Sequence, residues 1–281
     1  MIAAASPAPV AVAVPPRSFR SDLRAVRIVW HRDVIRFWRD KPRMLASVLQ
    51  PMLYLFVFGT GMGASLRLPG QLDLRAFLYP GVMAMATLFT CFFSAGSIVW
   101  DREFGFMREM LVAPVRRGAI VVGKALGGAT AGMTQGVIVL AIGSFVGVPF
   151  SPLMLLILLG ELIVLSFAVT AIGVLVAVRI KSFQAFMALV QIIIMPMFFL
   201  SGALFPMQNL PGWLAFATRL DPLTYAVDPM RRAVLGELGA PPIGSVQWSG
   251  WTVPTLLELA IVLAFGLVAL ALAAREFGKT E

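Results

Sequence analysis

Residues 153–178 read LMLLILLGELIVLSFAVTAIGVLVAV, an apolar run that contains one charged residue, Glu161. About 20 helical residues cross the roughly 30 Å hydrocarbon core of a bilayer, so this run is long enough to span a membrane. The run lacks the alternating pattern of a membrane β-barrel strand, which favours a helix. Five more runs of this kind occupy residues 44–63, 77–100, 125–148, 183–205 and 252–273. The sequence therefore predicts an all-α polytopic membrane protein with six transmembrane helices.

The composition and the distribution of basic residues agree with this class and predict an orientation. The chain is 59% hydrophobic and 13% charged, whereas soluble domains carry roughly 25% charged residues. Most of the 23 Lys and Arg residues fall in segments that the six spans place on one side of the membrane. The positive-inside rule puts those segments, and both termini, in the cytoplasm. The net charge of +9 is thus a topology signal, and we expect no nucleic-acid partner.

Two segments precede the first span. Residues 1–17 are rich in Pro, Ala and Val and predict a disordered N-terminal tail. Residues 18–43 predict an amphipathic helix that lies in the cytoplasmic interface of the membrane, with its arginines at the lipid head groups. The alternative is that this helix also contacts a cytoplasmic partner. The predicted apolar face consists of Leu23, Val26, Trp30, Val34 and Phe37.

Two further patterns lie in and after the spans. Gly128, Gly132 and Gly136 recur at four-residue spacing in the third span, which is typical of helices whose backbones approach closely in lipid. A glycine-lined groove for substrate is the alternative. Residues 206–251 form a long, half-apolar connection punctuated by Pro. We expect two short helices there, on the outer side, re-entrant or lying on the membrane surface.

Two acidic residues stand inside predicted spans, where an ionisable side chain costs about 2.5–3.5 kcal/mol and marks a functional candidate. Glu161 lies nine residues into the fourth span and Glu258 seven into the sixth. Each could be protonated and hydrogen-bonded in a packed core, lie at the outer interface, or line a path for substrate or protons. The interfacial interpretation is favoured for Glu258. For Glu161, packing and a translocation path are equally supported.

Residues 101–118, DREFGFMREMLVAPVRRG, separate the second and third spans and carry seven charged residues. Phe104, Met107, Leu111 and Val115 recur at i, i+3, i+7 and i+11, which predicts one apolar helical face. Pro114 would end that helix. Charge on one side and apolar residues on the other are typical of a docking surface. The alternative is an interfacial helix that contacts only lipid.

Residues 118–125, GAIVVGKA, resemble a phosphate-binding loop only superficially. Ala125 stands where such a loop needs Ser or Thr for magnesium, and the segment opens a membrane helix instead of following a strand. Lys124 is therefore not predicted to bind phosphate. Any nucleotide would have to be bound by another chain.

Two segments carry a family resemblance. Residues 100–128, WDREFGFMREMLVAPVRRGAIVVGKALGG, and 200–231, LSGALFPMQNLPGWLAFATRLDPLTYAVDPMR, resemble ABC-2 type transporter permeases. The similarity is greatest to the branch of daunorubicin-resistance-type drug exporters and nodulation-factor exporters. Many relatives carry Thr or Trp where this chain has Phe106, and Ser or Thr where it has Ala113. The resemblance extends over roughly residues 18–278.

The resemblance implies an ABC-2, or type V exporter, fold in a bacterial inner membrane. Two permease chains, identical or different, would pair with two ATPase subunits that hold the ATP and Mg. Residues 101–118 would form the coupling helix that inserts into a groove of the ATPase, and this chain would have no catalytic residue, metal or cofactor of its own. The implied coupling residues are Asp101, Arg102, Glu103, Phe104, Gly105, Phe106, Met107, Arg108, Glu109, Leu111, Pro114, Arg116 and Arg117.

The function that these observations favour is export of a hydrophobic or amphiphilic compound, such as a drug, an antibiotic or a lipid-like molecule. Export of a glycolipid, lipo-oligosaccharide or polysaccharide precursor is the alternative within the family. A proton-coupled carrier that uses Glu161 and Glu258 is a different class, and it would leave the segment 101–118 unexplained. A membrane enzyme would need a cluster of His, Ser or paired carboxylates that the sequence does not offer at one depth.

Overall fold

The computed structural model of the chain describes residues 18–63, 73–107, 110, 115–208, 210–241, 243–248 and 250–280. The predicted tail, residues 1–17, lies outside the described residues. Six helical segments in the described part are long and apolar enough to cross a membrane. They are Lys41–Gly63, Leu74–Glu103, Arg117–Val146, Pro152–Arg179, Phe183–Leu200 and Thr255–Lys279. Each overlaps one predicted run, so the prediction of an all-α protein with six spans is confirmed.

The first two spans are each built from more than one helical piece. The first consists of α2 (Lys41–Leu53), a π-helical turn (Tyr54–Phe58) and α3 (Gly59–Gly63). Pro51 lies inside α2, and its missing N–H disturbs the helical ladder just before the π turn. The second span consists of α4 (Leu74–Ala95) and α5 (Ser97–Glu103).

The other spans are more regular. The third is α6 (Arg117–Ile142), which a 3-10 turn (Gly143–Val146) extends. The fourth is α7 (Pro152–Arg179) and the fifth is α8 (Phe183–Leu200). The sixth is α11 (Thr255–Thr280).

The second span lies at the centre of the domain, against the third and the fourth. Of its most apolar window 78% is buried, against 17% for the first span and 22% for the fifth. The first, fifth and sixth spans therefore present most of their apolar side chains outward, where lipid or a second membrane chain can cover them.

The three glycines of α6 lie where it packs between α4 and α7. A Cβ at Gly132 would lie 2.1 Å from the Cys91 sulfur of α4, and one at Gly136 would lie 2.5 Å from Leu162 of α7. A Cβ at Gly128 would lie 2.5 Å from Thr170 of α7. No side chain fits at these positions, and this is the close approach that the helix-packing interpretation requires.

The N-terminal helix, α1 (Phe19–Arg39), begins with a capping box in which Ser18 and Ser21 bond to each other's backbone. It packs along α6, and its most buried residues are Asp22, Val29 and Asp33. Four members of the predicted apolar face, Val26, Trp30, Val34 and Phe37, are half-buried, and Leu23 is exposed. Two acidic residues that the prediction did not include, Asp22 and Asp33, also face the protein. They do so because basic side chains of neighbouring elements pair with them.

The long connection after the fifth span folds into α9 (Gly212–Leu220) and α10 (Thr224–Glu237), followed by a two-stranded hairpin of β1 (Gln247–Trp248) and β2 (Trp251–Thr252). Two helices are present where two were expected. The hairpin was not predicted, because strands of two residues leave no periodic pattern. α10 is the inner of the two helices, and it packs against α4, α7 and α11.

Candidate functional site

The connection between the second and third spans is not one continuous helix. α5 ends at Glu103, and Gly105 adopts a left-handed backbone conformation with φ of 83°. Phe104 and Met107 therefore do not share a helical face, and the predicted apolar face of residues 101–118 is wrong on this point. Met107 is only 2% exposed and belongs to the core, whereas Phe104 and Phe106 are 57% and 49% exposed.

Arg102 and Glu103 bind the connection between the fourth and fifth spans. Arg102 Nη1 donates hydrogen bonds to the carbonyls of Val178, at 3.1 Å, and Ile180, at 2.8 Å. Glu103 Oε2 accepts a hydrogen bond of 2.9 Å from the backbone N–H of Phe183, the first residue of α8. These two side chains were expected to face a partner, but the structure uses them to hold the end of α5 in place.

The far end of the connection is held as well. The backbone N–H of Arg116 donates to Asp22 Oδ1 at 2.9 Å, and its Nε lies 3.3 Å from Asp22 Oδ2. Arg117 Nη1 donates to the carbonyl of Gly278 at 2.9 Å. The segment is thus attached to α1 at one point and to the C-terminal helix at another. The remaining predicted coupling residues, which are Arg108, Glu109, Leu111 and Pro114, lie outside the described residues.

Asp101 occupies the centre of a buried ionic cluster. Its Oδ2 lies 2.5 Å from Lys124 Nζ of α6, and the same Nζ lies 3.2 Å from Asp33 Oδ2 of α1. Lys124 also donates to the Ser97 hydroxyl at 2.9 Å. Asp33, Asp101 and Lys124 are all buried. We call this group, with Arg32 and Arg36, the cytoplasmic ionic cluster, after the side on which the charge distribution predicts it.

Arg32 and Arg36 complete the cluster from the outside. Arg32 forms a short ion pair with Asp101, and Arg36 Nη1 lies 3.5 Å from Asp101 Oδ1. Both arginines keep 40% or more of their side-chain surface exposed. The cluster therefore joins α1, α5 and α6 at the end of the second span. The chain continues from there into the turn around Gly105, in which Phe104 and Phe106 are exposed; we call it the exposed turn. Asp101 was predicted as a docking residue, but its burial excludes direct contact with a partner.

A second buried group of charges lies at the opposite end of the domain. Arg232 of α10 places Nη2 2.5 Å from Asp228 Oδ2 and 2.8 Å from Glu258 Oε2. The contact between Arg232 and Glu258 is an ion pair, and its geometry does not meet that of a hydrogen bond. Burial lowers the pKa of Arg232, but the hydrogen bond and charge of Asp228, together with Glu258, outweigh burial and raise it. Arg232 also donates to the carbonyl of Val253 at 2.9 Å.

Glu161 and Glu258 are both fully buried. Glu258 lies in the first turn of α11, near the end of its span as the interfacial interpretation expected, but protein covers it and Arg232 faces it. Glu161 accepts no hydrogen bond within the described part of the chain. Neither carboxylate lines an open surface of this chain. The sequence alone could not reveal the group formed by Asp228, Arg232 and Glu258, because Asp228 and Arg232 belong to a loop helix whose position is set by tertiary packing.

A comparison with protein families finds a match over most of the chain. The model of the family described as ABC-2 type transporter matches residues 24–235. The match runs from the second turn of α1 through the first five spans to the last turn of α10, so it includes the turn around Gly105 and both groups of buried charges except Glu258.

Individual relatives cover most of the chain. Nodulation protein J of Rhizobium leguminosarum bv. trifolii is 31% identical over 219 residues, which are 74% of this chain and 80% of that protein. A putative transport permease, ycf38, of Cyanophora paradoxa is 29% identical over 204 residues, 71% of this chain and 70% of that protein. The inner membrane transport permease YadH of Escherichia coli K12 is 25% identical over 214 residues, 75% of this chain and 83% of that protein.

Proposed function

The chain belongs to the ABC-2 type transporter family, and from this premise we propose that it is the membrane subunit of an exporter that a separate ATPase drives. Membership makes the chain a multi-pass transport permease. We propose that it is a transport subunit with no catalytic activity of its own. Permeases of this family generally work with ATPase partners. The proposal adds that two ATPase subunits and a second permease chain, a copy or a different one, complete the transporter, and that ATP and Mg are bound by the ATPase.

The turn at Phe104 and Phe106 is the observation that carries this proposal. Two large aromatic side chains, two positions apart in the chain, are exposed at the predicted cytoplasmic end of the second span. An exposed aromatic pair in a held backbone is typical of a binding hot spot, because little entropy is lost when it docks. We propose that these side chains, and not the whole of residues 101–118, enter a groove of the ATPase.

The contacts behind this turn give it a mechanical role. Glu103 holds the start of the fifth span, and Asp101 is tied to α1 and α6 through Lys124. A displacement of the turn would therefore move several spans together, because these hydrogen bonds and buried ion pairs connect the turn to them directly. In this proposal, closure of the ATPase dimer pushes the two turns and opens a path between the two permease chains.

An apolar or amphiphilic compound is the substrate class that the domain favours. The six spans carry few charges. Of the buried ones, Asp101 pairs with Lys124, Glu258 pairs with Arg232 of α10, and Glu161 is enclosed by protein, so none of these groups faces an open path in this chain. The exported molecule would be drug-like, antibiotic-like or lipid-like. Export of a glycolipid, lipo-oligosaccharide or polysaccharide precursor is the second candidate within the same mechanism.

The decisive experiment tests docking. The chain is co-expressed with a candidate partner ATPase subunit, and the complex is purified into nanodiscs for assay of ATP hydrolysis. We expect the chain alone to hydrolyse no ATP and to stimulate the ATPase. The double variant Phe104→Asp with Phe106→Asp should lose co-purification and stimulation. Phe145→Asp is the matched control, because that side chain is 76% exposed at the other end of the third span. Retained stimulation in the double variant would contradict the proposal.

A proton-coupled carrier is the second class to exclude, since Glu161 is a buried carboxylate without a hydrogen bond among the described residues. The variant Glu161→Gln keeps the shape and removes the titratable group. An ATP-driven exporter should retain at least about half of its ATP-dependent transport. Two results together would favour the carrier. Transport would be abolished in a folded Glu161→Gln variant, and transport by the wild-type chain would follow a proton gradient in the absence of ATP.

A further inference from the structure

A cavity of about 510 Å³ opens beside the cytoplasmic ionic cluster, between the α1–α2 junction, the second span and the start of the fifth span. Along the second span it extends from Trp100 to Phe89. At a rise of 1.5 Å per residue, this distance is about 16 Å. The cavity is thus deep enough for a chain molecule and much larger than an ion requires.

The long wall of the cavity is aromatic. Its side chains come from α1, the second span and the fifth span, and they are Phe37, Phe89, Phe93, Trp100 and Phe183. Trp100 and Phe183 meet edge to face, with ring centroids 5.1 Å apart. Such a wall binds an apolar chain or ring system mainly through buried apolar area, and the indole N–H of Trp100 is its one polar group.

The mouth of the cavity is basic. Arg43 places its guanidinium 5.1 Å from the Phe93 ring centroid, and within the described part of the chain no carboxylate oxygen lies within 4 Å of its nitrogens. Two carboxylates lie at the mouth as well. Asp33 is paired with Lys124 at 3.2 Å, whereas Asp40 accepts the backbone N–H of Arg43 at 3.3 Å as the cap of α2, and its negative charge acts on Arg43. When the cytoplasmic ionic cluster is included, the net charge at the mouth is still positive, because four basic side chains (Arg32, Arg36, Arg43 and Lys124) face three carboxylates (Asp33, Asp40 and Asp101).

One polar group inside the cavity lacks a partner. Thr90 lines the cavity, is 6% exposed, and its hydroxyl makes no hydrogen bond with the described residues. A buried hydroxyl without a partner costs free energy unless something that enters the site bonds to it. This group lies one turn from Phe93, in reach of a ligand that also touches the aromatic wall.

We propose that this cavity binds an anionic amphiphile, with the negatively charged head group at Arg43 and the apolar chain against Phe89 and Phe93. An ester or hydroxyl oxygen near the head group would bond to Thr90. The shared chemistry, an anionic head on an apolar chain, fits a membrane lipid and an exported compound alike. A role of this cavity in loading the exported compound rests on the proposed function, whereas binding itself does not.

Binding is measured on the purified full-length chain in phosphatidylcholine nanodiscs, without an ATPase. The probes are lysophosphatidylglycerol and lysophosphatidylcholine with the same brominated acyl chain, because bromine quenches tryptophan on contact and Trp100 lines the cavity. We expect the anionic probe to bind about tenfold more tightly, because its phosphate can form a charge-assisted hydrogen bond with Arg43; a tenfold difference corresponds to about 1.4 kcal/mol. Arg43→Gln should abolish that preference. Arg39→Gln, an exposed neighbour outside the cavity lining, should keep it.

Several results would overturn the proposal. The two probes could bind equally well, or Arg43→Gln could keep the preference for the anionic probe. Quenching could persist in Trp100→Phe, which would place the probe elsewhere. Dodecyltrimethylammonium could bind more tightly than the anionic probe, or inorganic phosphate could compete as strongly as the lipid does. The source of the ligand is separated by two competitors. Displacement of the probe by phosphatidylglycerol built into the nanodisc supports binding of a membrane lipid. Displacement only by dodecyl phosphate added from water supports a soluble amphiphile. Failure of binding would leave ATPase stimulation intact, so the two proposals are tested separately.

Discussion

Lys124 of the third span and Asp101 at the end of the second form a buried ion pair, with 2.5 Å between Nζ and Oδ2. Burial of two charges is costly, and it is tolerated here because Asp33, Arg32 and Ser97 satisfy the remaining donors and acceptors. The consequence is that α1 is an integral part of the membrane domain. It is joined to the second and third spans by charge as well as by apolar packing.

The first prediction concerns this pair. Lys124→Met should lower the free energy of unfolding by about 3–5 kcal/mol, because it removes the buried cation that Asp33 and Asp101 share and leaves only the partly exposed Arg32 in contact with both. The measurement is the thermal unfolding midpoint of the chain in nanodiscs. Lys181→Met is the control, since Lys181 is exposed in the loop between the fourth and fifth spans.

The double variant Lys124→Met with Asp33→Asn separates a loss of charge balance from a loss of shape. Removal of one carboxylate should restore part of the lost stability. An unfolding midpoint of Lys124→Met within the error of the wild type would show that the cluster contributes nothing to the fold.

The spans could be predicted from sequence because length and apolarity are local properties. Residues 153–178 were expected to span the membrane, and the helix covers Pro152–Arg179. Charge pairing is not local. Lys124 and Asp33 are 91 positions apart, so nothing in the sequence near either residue indicates that they pair. In the sequence, Lys124 stands out only as part of a segment that fails as a phosphate-binding loop.

The exposed turn was missed for a different reason. Phe104 and Met107 have helical spacing, and nothing in that spacing shows that Gly105 takes a left-handed conformation between them. The signal that could have found it is the glycine itself, since Gly inside an otherwise helical pattern often marks the end of a helix.

Gly105 gives the second prediction. Its φ of 83° is a conformation that an L-residue adopts only at a cost of roughly 1–2 kcal/mol. We expect Gly105→Ala to reorient the exposed turn, so that the complex still hydrolyses ATP while transport per ATP falls. The measurement is the ratio of transport to hydrolysis in proteoliposomes. Gly118→Ala is the control, because Gly118 lies in the first turn of α6, where a Cβ would meet only the Ala274 Cβ at an ordinary contact distance of 4.0 Å. An unchanged ratio in Gly105→Ala would contradict this role of the turn.

The third prediction concerns packing between the second and third spans. A Cβ at Gly132 would lie 2.1 Å from the Cys91 sulfur, so Gly132→Ala should destabilise the chain by about 1–3 kcal/mol despite the better helix propensity of Ala. Gly160→Ala, at a helical glycine with nothing within 4 Å, should be neutral or stabilising. Cys91→Ala removes the sulfur and should rescue Gly132→Ala. Equal unfolding midpoints for Gly132→Ala and Gly160→Ala would rule out this close contact.

The last prediction is a pH dependence at the junction of α9 and α10. Asp221 is buried there, and burial raises its pKa to about 7, although hydrogen bonds, including the one that Oδ1 accepts from the Leu223 N–H at 3.0 Å, oppose the shift. The pKa of an unfolded aspartate is about 3.9. The folded chain therefore binds the proton more tightly than the unfolded chain, and stability falls as pH rises. The contribution of Asp221 is complete below pH 4 and is lost progressively between about pH 4 and pH 7.

Asp221→Asn keeps the acceptor oxygen and removes the titration. Compared with the wild type, its unfolding midpoint should be higher at pH 8 and similar at pH 4, with a difference in stability of at most about 4 kcal/mol. Asp73→Asn is the matched control, since Asp73 also caps a helix, α4, but is exposed. Parallel pH profiles for Asp221→Asn and the wild type would mean that this carboxyl does not hold a proton in the folded chain.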